Sequence, residues 1–197
     1  MSLNPKSNVV SEAEYLAGEE ASEIRHEFVN GEIFAMSGAK ATHNRISANI
    51  AREIGNQLRN SHCDTFTSDM KVKAGSNYFY PDVLVDCSDL DGESVFTSSP
   101  SIIFEVLSRS TRKMDETIKK IAYMNIPSLQ EYVLVEQDFA DIEVFRKKDD
   151  WRSSHYFLGD KIEFDSVAII LDVEEVYARV KNQDMLEWLE VKEESKL

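Results

Sequence analysis

Two carboxylates stand in apolar runs where an ionised side chain is costly: Asp82 in Tyr80-Pro81-Asp82-Val83-Leu84-Val85 and Glu105 in Ile102-Ile103-Phe104-Glu105-Val106-Leu107. Such acids need compensation, and a divalent cation shared by the pair would supply it. If the two segments are neighbouring strands, a hard cation such as Mg²⁺ takes one oxygen from each acid and a backbone carbonyl from Val106. It keeps several waters for a substrate phosphate. The alternative is that each acid ends a strand in water.

The elements that must position these acids are read from periodicity and turn chemistry. Residues 1–10 read as a loose terminus, followed by a short helix near Glu12 to Leu16. Arg25 to Val29 and Glu32 to Met36 flank Asn30-Gly31, which tolerates the positive φ angles of a two-residue hairpin turn. Thr42 to Arg59 reads as a helix with Thr42 as N-cap and Ile46, Ile50, Ile54 and Leu58 on one face. His43 opens that inward face. Two strands are expected at about Cys63 to Lys73 and Tyr78 to Cys87, with Ala74 to Asn77 as their turn. Ser88 to Pro100 is loop-like, and Ile102 to Leu107 is short and apolar enough for a buried central strand.

Ser110-Thr111 then opens a helix to about Asn125, ended by Pro127. On it Ile118, Ile121 and Ala122 read as the core face, with Lys119 at its border. Strands follow at Glu131–Glu136, Asp141–Arg146, Arg152–Leu158 and Lys161–Phe164, and helices at Asp172–Val180 and Asp184–Glu194. The order predicts one α/β (α+β) domain over residues 11–181, with an acidic C-terminal helix or tail over 182–197.

The bulk properties agree with a single domain. At 197 residues and 42% hydrophobic content the chain can bury one sizeable core. No run approaches the roughly 18 apolar residues of a membrane span, and the polar start lacks a signal's apolar core, so a cytoplasmic protein is expected. Cys63 and Cys87 show no metal-ligand spacing and are expected to be reduced and at least partly buried. A net charge of -14 opposes non-specific nucleic-acid binding. Its distribution weakens that objection. Ser11 to Glu32 holds seven acids against one base and Asp160 to Leu197 eleven against five, so these ends carry -12 of the -14. Glu105 to Lys120 holds five bases against three acids.

Pro81-Asp82, Glu105-Val106-Leu107-Ser108, Ser110-Thr111, Asp115, Lys119 and Tyr123, preceded by Asn30-Gly31-Glu32-Ile33 and by His43 at a helix start, resemble the Uma-two family of restriction endonucleases. That family is a branch of the PD-(D/E)XK nucleases, and the resemblance covers roughly Tyr15 to Phe145. It implies a restriction-endonuclease-like core, a mixed sheet flanked by helices, with the metal at the edge of the central strands. One position departs from the superfamily pattern: Leu107 stands where a Lys usually follows the second acid.

The resemblance offers Lys119 in its place, to orient the attacking water or stabilise charge at the phosphate. The competing reading of Asp115 and Lys119 is an ordinary i, i+4 surface pair. The resemblance also implies a role for His43 as metal ligand, proton shuttle or phosphate contact, against a satisfied core histidine. Glu32 is a further candidate acid for the metal or a solvated strand residue. Asp69 and Asp86 read as structural, Ser108, Ser110 and Thr111 as helix caps, and Arg109, Arg112 and Lys113 as phosphate contacts.

The expected activity is that of an Mg²⁺-dependent endonuclease acting on DNA, with Mn²⁺ as a substitute. By analogy with that fold it would work as a homodimer. The other reading is a non-catalytic module of the same fold that binds nucleic acid or protein, favoured by the acidic charge and by Leu107.

Overall fold

The computed structural model describes residues 10–195, so the loose terminus expected over residues 1–10 falls outside them except for Val10. Helix α1 (Glu12–Glu20) starts behind a capping box. The Ser11 hydroxyl accepts from the Glu14 amide at 3.3 Å, and the Glu14 carboxylate accepts from the Ser11 amide at 2.9 Å. Two helix-end donors are thereby satisfied, and the helix runs a turn longer than expected. Asn30 and Gly31, at φ 53 and 86, turn β1 (His26–Val29) into β2 (Glu32–Ala35) as predicted. Helix α2 (Ala41–Leu58) buries the predicted stripe of Ile46, Ile50, Ile54 and Leu58. Its N-cap is Lys40 with no side-chain bond, so Thr42 lies inside the first turn rather than capping it.

The two long strands expected next are each broken in the middle. The first divides into β3 (Asp64–Thr67) and β4 (Lys71–Ala74), the second into β5 (Asn77–Phe79) and β6 (Val83–Asp86). Pro81 lies in the second break; it has no N–H to give a ladder, and the pairing stops there. The tip of this long hairpin (β4 with β5) joins one sheet and its stem (β3 with β6) joins another. Strand β7 (Phe96–Thr97) pairs parallel to β4 within the segment read as a loop. Strand β8 (Pro100–Leu107) carries Glu105.

After β8 the chain forms α3 (Arg112–Met114), a π-helical turn (Asp115–Lys119) and α4 (Lys120–Met124). It returns as β9 (Glu131–Glu136), parallel to β8, so this helical stretch is the crossover of a βαβ unit. Strands β10 (Ile142–Arg146) and β11 (Ser153–Tyr156) extend the sheet antiparallel. The result is a six-stranded mixed sheet in the order β11-β10-β9-β8-β6-β3 beside a five-stranded one in the order β2-β1-β5-β4-β7.

Strand β8 is covered on both faces, which explains its unbroken apolar run. Ile102, Phe104 and Val106 face the core shared with α2, and Ile103 and Leu107 face the one that holds Tyr123 and Leu129.

The C-terminal third differs more from expectation. Strand β12 (Lys161–Phe164) pairs with β13 (Ile169–Asp172), a strand not foreseen, because the intervening turn uses Ala168 at φ 55 and carries no Gly or Pro signal. The helix predicted over 172–180 shrinks to α5 (Val173–Val176). In α6 (Gln183–Glu194) the Asn182 side chain caps the Met185 amide at 2.9 Å and Met185 enters the larger core. Asp184 accepts from the Ala140 amide at 2.7 Å, which ties this helix to the body.

The expectation of reduced cysteines is overturned: Cys63 and Cys87 form a disulfide. Asp64 pairs with Asp86 across β3 and β6, so the two cysteines face each other one position further out. That proximity depends on register, which spacing in the chain does not reveal. Among the described residues no helix is long and apolar enough to cross a membrane.

Candidate active site

Asp82 sits in the break just before β6, not within a strand. The last β6–β8 pair is Val83 with Phe104, so the chain beyond it on β8 has lost its neighbour on that side. Asp82 takes over: its Oδ2 accepts from the Val106 amide at 2.7 Å. One missing ladder partner thus fixes the carboxylate beside Glu105. The Asp82 carbonyl also accepts from the Ser68 amide at 3.3 Å, bridging the two breaks.

His43, in the first turn of α2, places Nε2 3.3 Å from Asp82 Oδ2, while its buried Nδ1 has no partner among the described residues. Burial opposes a charge on the imidazole, but the Asp82 carboxylate and the Val106 carbonyl outweigh it and raise its pKa.

Glu105 is 3% exposed. Its Oε1 accepts from Lys119 Nζ at 3.1 Å and from the Tyr123 hydroxyl at 3.1 Å. Lys119, 4% exposed, lies between three acids: Glu27 at 2.9 Å, Glu105 at 3.1 Å and Asp115 at 3.2 Å. Asp115 and Lys119 are therefore no surface pair. The helical stretch turns its polar stripe of Asp115, Lys119 and Tyr123 inward and leaves Ile118 and Ile121 exposed, so of the expected core face only Ala122 packs against the core. Three acids make the ammonium tolerable where a sequence pattern alone would place an isoleucine.

The π-helical turn carries Asp115 at its start and Lys119 at its end, and the Tyr132 hydroxyl donates to the Asp115 carbonyl at 2.9 Å. Such single widened turns recur at functional sites.

Burial, with help from the neighbouring acids, pushes Glu105 well above the usual carboxylate range despite Lys119. Burial also raises Asp115. Burial would lower Lys119, but the three carboxylates win and hold it charged. The cluster thus keeps a cation throughout and retains a proton to higher pH than isolated acids would.

Asp82, Glu105, Asp115, Lys119 and His43 all line one cleft of about 690 Å³, together with Arg25, Lys40, Ser108, Arg109, Ser110 and Thr111. Of the other sequence candidates, Glu32 is exposed on edge strand β2 and does not line the cleft. Sequence reasoning missed Glu27 on β1, an acid of the Lys119 cluster. Glu27 is buried, accepts from the Tyr80 amide at 3.1 Å and meets Lys119. The available signal was an acid between His26 and Phe28-Val29 in a strand whose neighbours turn inward.

Arg112 is committed to Glu136, at 2.6 Å through both guanidinium nitrogens, and Lys113 is exposed away from the cleft. The Ser108 hydroxyl accepts from the Thr111 amide at 3.2 Å, a local cap. Asp69 pairs with Arg25, and Asp86 is buried and accepts from Ser88 and Thr97.

A crystal structure described as "a putative nuclease belonging to DUF820" from Anabaena variabilis superposes with a TM-score of 0.73 over 87% of this chain and 99% of its own, at 16% identity. The two chains share one fold. "Uncharacterized protein slr1290" of Synechocystis is 34% identical over 173 residues, covering 85% of this chain and 91% of its own. "Uncharacterized protein sll1609" of the same organism is 36% identical over 149 residues, or 73% and 84%. A model of the Uma2 family, described as "Putative restriction endonuclease", matches residues 12–173, a span that takes in both sheets, α2 and every side chain of the cluster just described. The chain belongs to the Uma2 family.

Proposed function

We propose that the protein is a metal-dependent endonuclease that hydrolyses phosphodiester bonds in DNA. Asp82, Glu105 and the Val106 carbonyl would hold Mg²⁺, with Mn²⁺ as a substitute. The observation that carries this reading is the surplus of acid around Lys119: three buried carboxylates share one ammonium, and Asp82 stands on the same cleft wall.

The donor set fits a hard cation. Asp82 uses Oδ2 for Val106 and His43, and Glu105 uses Oε1 for Lys119 and Tyr123, which leaves each acid one oxygen with no hydrogen-bond partner among the described residues. Carboxylate and carbonyl oxygens with water completing the shell are what Mg²⁺ prefers. When bound, such a cation supplies Lewis acidity at a phosphoryl oxygen and a more acidic water.

The protein's own groups do the rest. Lys119 stays protonated, so it cannot take a proton from water; held by its three acids, it offsets charge building on the phosphate through its field. Glu27 and Asp115 hold the ammonium in place. His43, whose pKa Asp82 raises, would give a proton from Nε2 toward the substrate in its protonated form. Arg109 and Lys40 on the cleft lining suit phosphates flanking the cut. Cutting both strands with one cleft per chain calls for two copies, hence a homodimer as the working form.

The test is calorimetric titration of Mg²⁺ and Mn²⁺ into wild type and the Asp82→Ala, Glu105→Ala double variant, followed by plasmid nicking in the same samples. Metal binding and nicking in wild type, both lost in a variant with a native melting curve, is the expected result. Metal binding without nicking on any plasmid favours a non-catalytic module, and no metal binding in wild type removes the proposal.

A further inference from the structure

We propose that reduction of the Cys63–Cys87 disulfide opens a zinc site made of His62 Nε2, Cys63 Sγ and Cys87 Sγ, remote from the nuclease cleft.

The three ligand atoms are already assembled. Cys63 precedes β3 and Cys87 follows β6, and the antiparallel register holds their Cα atoms 4.0 Å apart. His62 Nε2 lies 3.8 Å from Cys63 Sγ, and the imidazole nitrogen and both sulfurs fall within 4.8 Å of one another. A tetrahedral zinc with Zn–S of about 2.3 Å and Zn–N of about 2.0–2.1 Å spaces its ligands roughly 3.5–3.8 Å apart, so after reduction the two sulfurs part while the imidazole stays within reach.

The backbone there is fixed. The Ser61 hydroxyl accepts from the Cys63 amide at 3.0 Å, and the Ser61 amide donates to the Leu58 carbonyl at 2.8 Å, closing the end of α2. A helix C-terminus carries partial negative charge, which favours a cation nearby. His62 is exposed while Cys63 belongs to the larger core, so the site is open to solvent on one side and anchored on the other. None of the three residues lines the cleft. They sit at the opposite end of β6 from Asp82, roughly 16 Å along the strand at about 3.3 Å per residue.

The gate is chemical. In the disulfide neither sulfur is a thiolate, and two of the three ligands are unavailable. A dithiol reductant gives two electrons and two protons to the S–S bond, becomes a disulfide itself and leaves Cys63 and Cys87 as thiols. Zn²⁺ then displaces both thiol protons to solvent and takes neutral His62 through Nε2, with water in the fourth position. Soft thiolates with an imidazole select zinc over Mg²⁺, whereas the oxygen donors of the cleft suit a hard cation such as Mg²⁺.

Cobalt(II) as a spectroscopic stand-in for zinc tests this in the full chain. The metal-free reduced protein should show a thiolate-to-cobalt charge-transfer band at one equivalent, bleached by added Zn²⁺. Protein whose disulfide is verified by thiol titration should show none. The band should vanish in Cys63→Ser and in Cys87→Ser, and His62→Ala should bind cobalt more weakly by roughly tenfold or more, at least the cost of losing an outer-shell partner. Asp82→Ala should leave the band intact, because cobalt held by oxygens in the cleft gives no such band. A reduced wild type without the band overturns the site, and an equal band in the oxidised protein overturns the gate.

Discussion

Lys119 decides the character of the site at the scale of single residues. A buried ammonium costs several kcal/mol unless it is paired, and here Glu27, Glu105 and Asp115 all lie within 3.2 Å. Removing the charge while keeping the stem, as in Lys119→Met, leaves three buried acids facing one another. The expected cost is about 3–5 kcal/mol near pH 7, read from urea denaturation. Its pH dependence follows from the direction of the shifts. Without the ammonium, Glu105 and Asp115, already raised by burial, have folded-state pKa values raised further above their unfolded values of about 4. The stability they contribute is then present at low pH and is lost as pH rises through those raised values. The deficit relative to wild type should therefore shrink toward pH 5 and widen toward pH 8; an equal deficit at both would assign it to packing instead. The same reasoning holds for metal binding, since a cation must displace the proton that burial favours on Glu105.

At the scale of elements, what positions the cluster is a set of interruptions. The break at Tyr80-Pro81-Asp82 ends one pairing before the next begins, and the π-helical turn swings Asp115 and Lys119 inward. Tyr132 supports that turn by donating to the Asp115 carbonyl. Tyr132→Phe should strand this buried acceptor and cost about 1–3 kcal/mol in urea denaturation, with nicking reduced through Lys119; an unchanged midpoint would show that the turn does not lean on the hydroxyl.

These interruptions also mark how far the sequence could be read. The Asn30-Gly31 hairpin and the isoleucine stripe of α2 were legible because each is written in neighbouring residues. Pro81 was visible, but that its strand changes sheets there depends on partners distant in the chain. Asp82 and Glu105 stood out as acids in apolar runs. Glu27 did not, and Ile118 and Ile121 pointed the wrong way, because only the meeting of β1, β8 and the π-helical turn gives an inward ammonium three partners. Cys63 and Cys87 likewise meet through a register that spacing does not specify.

The whole molecule faces an electrostatic constraint that its cleft must overcome. With a net charge of -14, most of its surface repels a polyanion, and contacts outside the cleft offer little affinity. Within the cleft, four cations are present: Arg25, Lys40, Arg109 and Lys119. Lys119 is consumed by its three acids and Arg25 by Asp69. Lys40 and Arg109 have no ion-pair partner among the described residues and are the groups free to displace counterions from DNA. Each phosphate neutralised contributes about -0.9 to the slope of log affinity against log salt on duplex DNA, so two contacts give a slope near -2 per chain and near -4 for a dimer holding one duplex. Fluorescence anisotropy of a labelled duplex between about 50 and 200 mM KCl, with chelator present to keep cleavage off, measures it. Lys40→Ala and Arg109→Ala should each flatten the slope by about one per chain and weaken binding to all sequences alike. A slope of about -8 or steeper would place DNA on a surface other than this cleft, because the cleft does not hold enough unpaired positive charge to produce it.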